Sequence, residues 1–218
     1  MVGLMAAIEL VRSLLPFRAD LDILAWFAFI PIRYTTVYTG LPGGIAADVW
    51  TFVTYALLHG SWMHLVTNGF WLVAFGTPVA RRFGAVRFWL FSAAAAAGGA
   101  AVHLAAHPGD VMPVVGASAA IAGMMSAAAR FVFDAGGPLA SLRRQAGDEA
   151  YRRPARSLAA TLSNRTVIVF IALFLLMNLA IGVGGTVAGG QAIAWEAHLG
   201  GFLIGFLAFR LFDPVPFR

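Results

Sequence analysis

Cysteine and lysine are both missing from this 218-residue chain, and charge of either sign is scarce, with Asp, Glu, Lys and Arg together at 11%. Without cysteine there is no disulfide framework and no thiolate metal site. Without lysine, all fifteen basic residues are Arg. Together with the abundance of Ala, this reads as codon bias and points to a GC-rich bacterial genome. A soluble domain carries about a quarter charged residues. A chain with less than half that density cannot cover a water-facing surface, so its solvent is largely lipid. The 60% hydrophobic content and mean hydropathy of +0.81 agree. Five histidines are too few and too scattered for a dense metal cluster, though not for a single site.

Six apolar stretches are separated by charged or Gly/Pro-containing connections: residues 2–16, 61–80, 86–106, 118–133, 166–187 and 193–212. A spanning helix needs about 20 apolar residues, so the length suits one all-α membrane domain over residues 1–218. The first stretch is short and holds Glu9 and Arg12. It lacks a signal peptide's basic start and cleavage pattern. Its helix is expected to begin upstream, as if truncated, or to lie partly at the interface.

Arg placement sets the expected topology. With six spans, twelve of the fifteen Arg residues fall on one side, from Arg81 and Arg82 to Arg210 and Arg218. The positive-inside rule then puts both termini in the cytoplasm, and the net charge of +5 reads as topology, with no nucleic-acid partner. Residues 18–60 form a long connection rich in Trp and Phe, expected outside the cytoplasm and against the bilayer interface. Residues 134–165 form an Arg-rich cytoplasmic connection facing solvent or lipid headgroups.

Polar residues within apolar segments are costly and are functional candidates by default. His59, His64 and Asn68 open the second segment, the last two sharing a helix face. In isolation such a pair more often glues helices together. Gly116-Ala117-Ser118 opens the fourth. A Ser there is most often an N-cap, yet a helix start also offers free N–H groups to a developing oxyanion. Ala197-His198-Leu199-Gly200-Gly201 opens the sixth. His198, Gly201 and Gly205 share one face, and a matching small stripe of Ser118, Ala122 and Ser126 would set Ser118 opposite His198. All three clusters lie at one depth on one side.

The ordered set resembles the rhomboid family of intramembrane serine proteases, whose pattern is His-x-x-x-Asn, Gly-x-Ser and Ala-His with following glycines. Here these read His64–Asn68, Gly116–Ser118 and Ala197–Gly201, and the resemblance extends over nearly the whole chain. It implies a six-transmembrane-helix rhomboid-like bundle of bacterial type in an inner membrane, with the site toward the extracytoplasmic side. It implies a dyad of Ser118 as nucleophile and His198 as general base, with no cofactor and no metal. It gives His64, Asn68 and the Ser118 backbone N–H the oxyanion, with His59, Gly116, Gly201 and Gly205 in support. Its partners would be transmembrane protein substrates and the bilayer. Two positions depart: Ala119 stands where Gly is frequent, and Ala122 where some members have an aromatic residue against the His. What holds the His198 ring is then open.

Three other readings compete. An inactive rhomboid-like binding or quality-control factor should lack Ser or His of the dyad, and this chain keeps both. A metalloprotease or metal transporter using His59, His64 and His198 would be chelator-sensitive, and the His-Glu-x-x-His signature is absent. A small transporter should show inverted repeats, and none is evident. His103 and His107 read as interfacial residues, and Glu196, on another face from His198, takes no part in the catalytic machinery.

Overall fold

The computed structural model describes residues 1–36, 40–133, 137, 147–184 and 193–216. Among them every regular element is helical, and backbone pairing is limited to one isolated antiparallel bridge between Phe29 and Val114. The helices are α1 (Val2–Leu14), α2 (Phe17–Phe27), α3 (Gly44–Thr54), α4 (Trp62–Trp71) and α5 (Thr77–Phe83). They continue with α6 (Ala85–Ala106), α7 (Ser118–Ala129), α8 (Asp148–Tyr151), α9 (Leu158–Leu162), α10 (Arg165–Gly184), α11 (Trp195–Leu207) and α12 (Phe209–Phe212). A π-helical turn, Leu72–Gly76, joins α4 to α5 without a break.

Helix α6 alone among the described residues is long and apolar enough by itself to cross a bilayer. Shorter apolar helices cover Gly44–Leu57, Ser118–Ala129 and Arg165–Ala180. Each of the six apolar stretches of the sequence carries helix. Large apolar side chains are turned outward along these helices, among them Phe70 on α4, Trp89 and Leu90 on α6, and Leu173 and Leu176 on α10. Such faces need lipid as their solvent.

The core is the trio α6, α7 and α11. Small residues let their backbones meet. A Cβ at Gly201 would overlap the carbonyl oxygen of Ala119, and one at Gly205 would overlap that of Gly123 and crowd Ser126. The stripe on α7 that meets α11 is therefore Ala119, Gly123 and Ser126. The expected stripe of Ser118, Ala122 and Ser126 is offset, because the close approach is set by backbone carbonyls. Gly98 and Gly99 of α6 complete the packing against Gly200, Ile204 and Ala197.

Two expectations need correction. Residues 18–60, read as an irregular connection, contain most of α2 and all of α3, with 3-10 turns at Pro31–Tyr34 and Tyr55–Leu57. The prolines and glycines of that stretch mark helix ends. The Asp134–Arg165 connection contains α8 and α9, while Arg143 and Arg144 lie outside the described residues. The short first helix has its own account. Arg12 bonds Asp20 at 2.7 and 3.2 Å, Glu9 at 3.2 Å, and the His59 carbonyl. Its charges thus satisfy one another and tie α1 to the connection leading into α4.

Candidate active site

Helix α4 is started by Ser61, whose side chain accepts from the His64 backbone N–H at 3.2 Å. That cap puts His64 at the third helical position, with Asn68 one turn further on the same face. Both side chains converge on Gly116. A Cβ there would lie 2.7 Å from the His64 ring and 3.4 Å from Asn68 Nδ2. Gly116 also holds φ at +120°, a conformation open to glycine and strained for other residues. Its N–H donates to the Tyr55 carbonyl at 3.0 Å, and the Tyr55 hydroxyl donates to the Ala96 carbonyl at 2.9 Å. Gly116 is thereby tied to the 3-10 turn after α3, which Tyr55 in turn anchors to α6, two residues ahead of Ser118.

Ser118 is not a cap. The N-cap position belongs to Ala117, and α7 has no side-chain cap. The Ser118 hydroxyl instead lies 2.8 Å from His198 Nε2. The first-turn N–H groups of α7 are left for another acceptor, as at any uncapped helix start.

His198 is held from behind by a residue that the sequence did not flag. Its Nδ1 lies 2.8 Å from Asn178 Oδ1, on α10. The Asn178 amide N–H donates to the Trp195 carbonyl at 3.0 Å. That bond fixes which end of the amide is oxygen, so Nδ1 of His198 must carry the proton it donates to Oδ1. Nε2 is then the lone-pair nitrogen facing Ser118, the tautomer that accepts a hydroxyl proton. Trp195 is itself seated against Gly182 of α10. Asn178 answers what positions the ring when Ala122 supplies no aromatic side chain. No motif marks it: it stands twenty residues before His198 in an apolar helix. The signal was its polarity in a lipid-facing run, since Met177 and Leu179 are exposed while Asn178 is buried.

Asn68 Nδ2 is buried and has no hydrogen-bond partner among the described residues. A buried amide donor without an acceptor is uncommon. His59 is fully buried, with its ring edge-on to His64 at 5.1 Å between centroids. Burial, followed by the neighbouring His64, lowers its pKa to about 4. His59 therefore braces the His64 ring as a neutral group. Gly201 and Gly205 lie below, where α11 crosses α7.

A match to the rhomboid domain spans residues 46–213 and so takes in every one of these side chains. The chain belongs to the rhomboid family. The match starts at Ala46, so residues 1–45 fall outside it and the family pattern covers less of the chain than nearly its whole length. Among curated proteins, none matches the chain. Rhomboid-family proteins are integral membrane proteins, and the family includes intramembrane serine proteases that act on membrane proteins. Both ring nitrogens of His198 are engaged, by Ser118 and Asn178.

Proposed function

We propose that this rhomboid-family chain is an intramembrane serine endopeptidase that cuts transmembrane protein substrates through a Ser118–His198 dyad. The observation that carries the reading is the 2.8 Å contact between Ser118 Oγ and His198 Nε2, with Asn178 behind the ring. A serine hydroxyl is a weak nucleophile until a base takes its proton. His198 Nε2 takes the Ser118 proton as Oγ attacks the scissile carbonyl carbon. The oxyanion accepts from the Ser118 N–H, Asn68 Nδ2 and the His64 ring. His198 then protonates the leaving amine, and a water deprotonated by the same nitrogen releases the acyl group. Asn178 positions the ring throughout. The unsatisfied Asn68 donor supports this assignment, because it supplies a ready bond at the moment charge develops.

In this reading six segments cross a bacterial inner membrane, with both termini on the Arg-rich cytoplasmic side and the site near the opposite face. The test is cleavage of a model transmembrane substrate by the detergent-purified protein. Ser118→Ala and His198→Ala should each lose at least roughly a thousandfold in rate. Equal cutting by all three proteins would rule the dyad out. Tight binding of substrate without any cutting by the wild type would favour a non-cleaving rhomboid-like binding factor.

A further inference from the structure

The end of α6 nearest the dyad carries a second polar cluster that the peptidase chemistry does not use. His103 lies in the last turn of α6 and His107 just past its end, with ring centroids 4.9 Å apart. Glu196, in the first turn of α11, reaches both. Its Oε1 is 2.8 Å from His107 Nε2, and its Oε2 is 3.6 Å from His103 Nδ1. One ligand atom from each of the three residues lies within 4.8 Å of the other two.

The His107–Glu196 contact is satisfied as an ordinary ion pair or hydrogen bond. His103 is not. It is 5% exposed, and neither ring nitrogen has a hydrogen-bond partner among the described residues. The 3.6 Å separation from Glu196 is too long to count as one. A buried polar atom left unpaired calls for a water or an ion. A buried imidazole gathered with a second imidazole and a carboxylate makes a set of ligand atoms that a cation would bring together.

We propose that His103, His107 and Glu196 bind a divalent transition-metal ion, zinc foremost, bridging α6 and α11 two residues ahead of His198. Two imidazoles and a carboxylate form a recognised zinc set that leaves a fourth position for water. Zn–N bonds of about 2.0–2.1 Å place tetrahedral ligand atoms roughly 3.4 Å apart. Side-chain rotation of His107 and Glu196, neither of them fully buried, closes the remaining gap. The ion stabilises the junction that carries the start of α11.

Calorimetric titration of zinc into metal-free, detergent-purified protein tests this without any cleavage readout, so its outcome is independent of the peptidase assignment. One equivalent should bind, and thermal unfolding should move upward with it. His107→Ala and Glu196→Gln, both at accessible positions, should each weaken binding by roughly a hundredfold, while His59→Asn should leave it unchanged. Zinc that fails to bind the wild type, or binds both ligand variants as tightly, overturns the site. Loss of binding in His59→Asn would also overturn it, by moving the ion to the His59–His64 pair.

Discussion

At the end of the α6–α7–α11 trio where α7 finishes, two buried guanidinium groups are surrounded by acceptors. Arg82 makes a two-pronged pair with Asp213 at 2.9 and 2.8 Å and donates to the carbonyls of Tyr151 and Arg153. Its guanidinium lies over the Phe131 ring at 4.8 Å. Arg130, just past α7, donates to the carbonyls of Phe206 and Arg156. At the other end, where α7 begins, Asn68 Nδ2 and both nitrogens of His103 have no hydrogen-bond partner among the described residues, Glu196 standing 3.6 Å from His103 Nδ1. Both ends bury polar groups, but every side-chain nitrogen of Arg82 is bonded, whereas Asn68 Nδ2 is not. A saturated cluster fixes a unique packing. A cluster with a spare donor gives up some stability and stands ready for an acceptor that arrives later.

This contrast gives the largest expected effect. Arg82→Ala leaves the Asp213 carboxylate buried and unpaired, which typically costs about 3–5 kcal/mol. Denaturant titration in detergent should show that loss, with activity falling only as the folded fraction falls. If Arg82→Ala unfolds at the wild-type midpoint, the cluster is not holding this end together.

The next effect runs the opposite way. Asn68→Ala removes a donor that finds no acceptor among the described residues, so stability should stay level or rise. The turnover rate should nevertheless fall by roughly a hundredfold to a thousandfold, about 3 kcal/mol in the barrier. A variant that loses stability and keeps its rate would make Asn68 a helix-packing residue.

The same contrast explains what the sequence revealed. Segments were legible where apolar runs are continuous: α6 was expected at 86–106 and is found at Ala85–Ala106. The three motif clusters were legible because a His, an Asn or a Ser stands out against Ala and Leu. Arg82 and Arg130 were counted only as topological charges, since nothing in a linear tally separates a buried Arg from one in the headgroups. The helices within residues 18–60 were hidden by prolines and glycines that cap them. Asn178, and the meeting of Glu196 with His103 and His107, depend on how α10 and α11 fold back on the chain, and sequence spacing does not encode that.

Asn178 sharpens the comparison inside the site itself, because it is the one site amide that is saturated. Asn178→Ala releases the His198 ring and its tautomer. The turnover rate should drop roughly tenfold to a hundredfold with KM little changed, well short of the roughly 10⁴-fold caused by a misdirected tautomer in a serine protease triad. Asn178→Asp keeps an oxygen for the Nδ1 proton and should recover most of the rate. If Ala and Asp variants both match the wild type, the ring is held by something else.

The smallest effect gives the site end a pH signature. His59 lies in the connection between α3 and α4, and burial first, then His64, lowers its pKa from 6.5 to about 4. The folded protein therefore refuses a proton that the unfolded chain accepts, and stability should fall as pH drops through that window and level off below it. Between pH 7 and 5 the loss attributable to this ring should be about 1–2 kcal/mol. Unfolding midpoints of wild type and His59→Asn, compared at both pH values, isolate the contribution, because every other titrating group is common to both proteins. A shallower slope in His59→Asn is the expected result. Identical slopes would mean that His59 is protonated as readily in the fold as out of it.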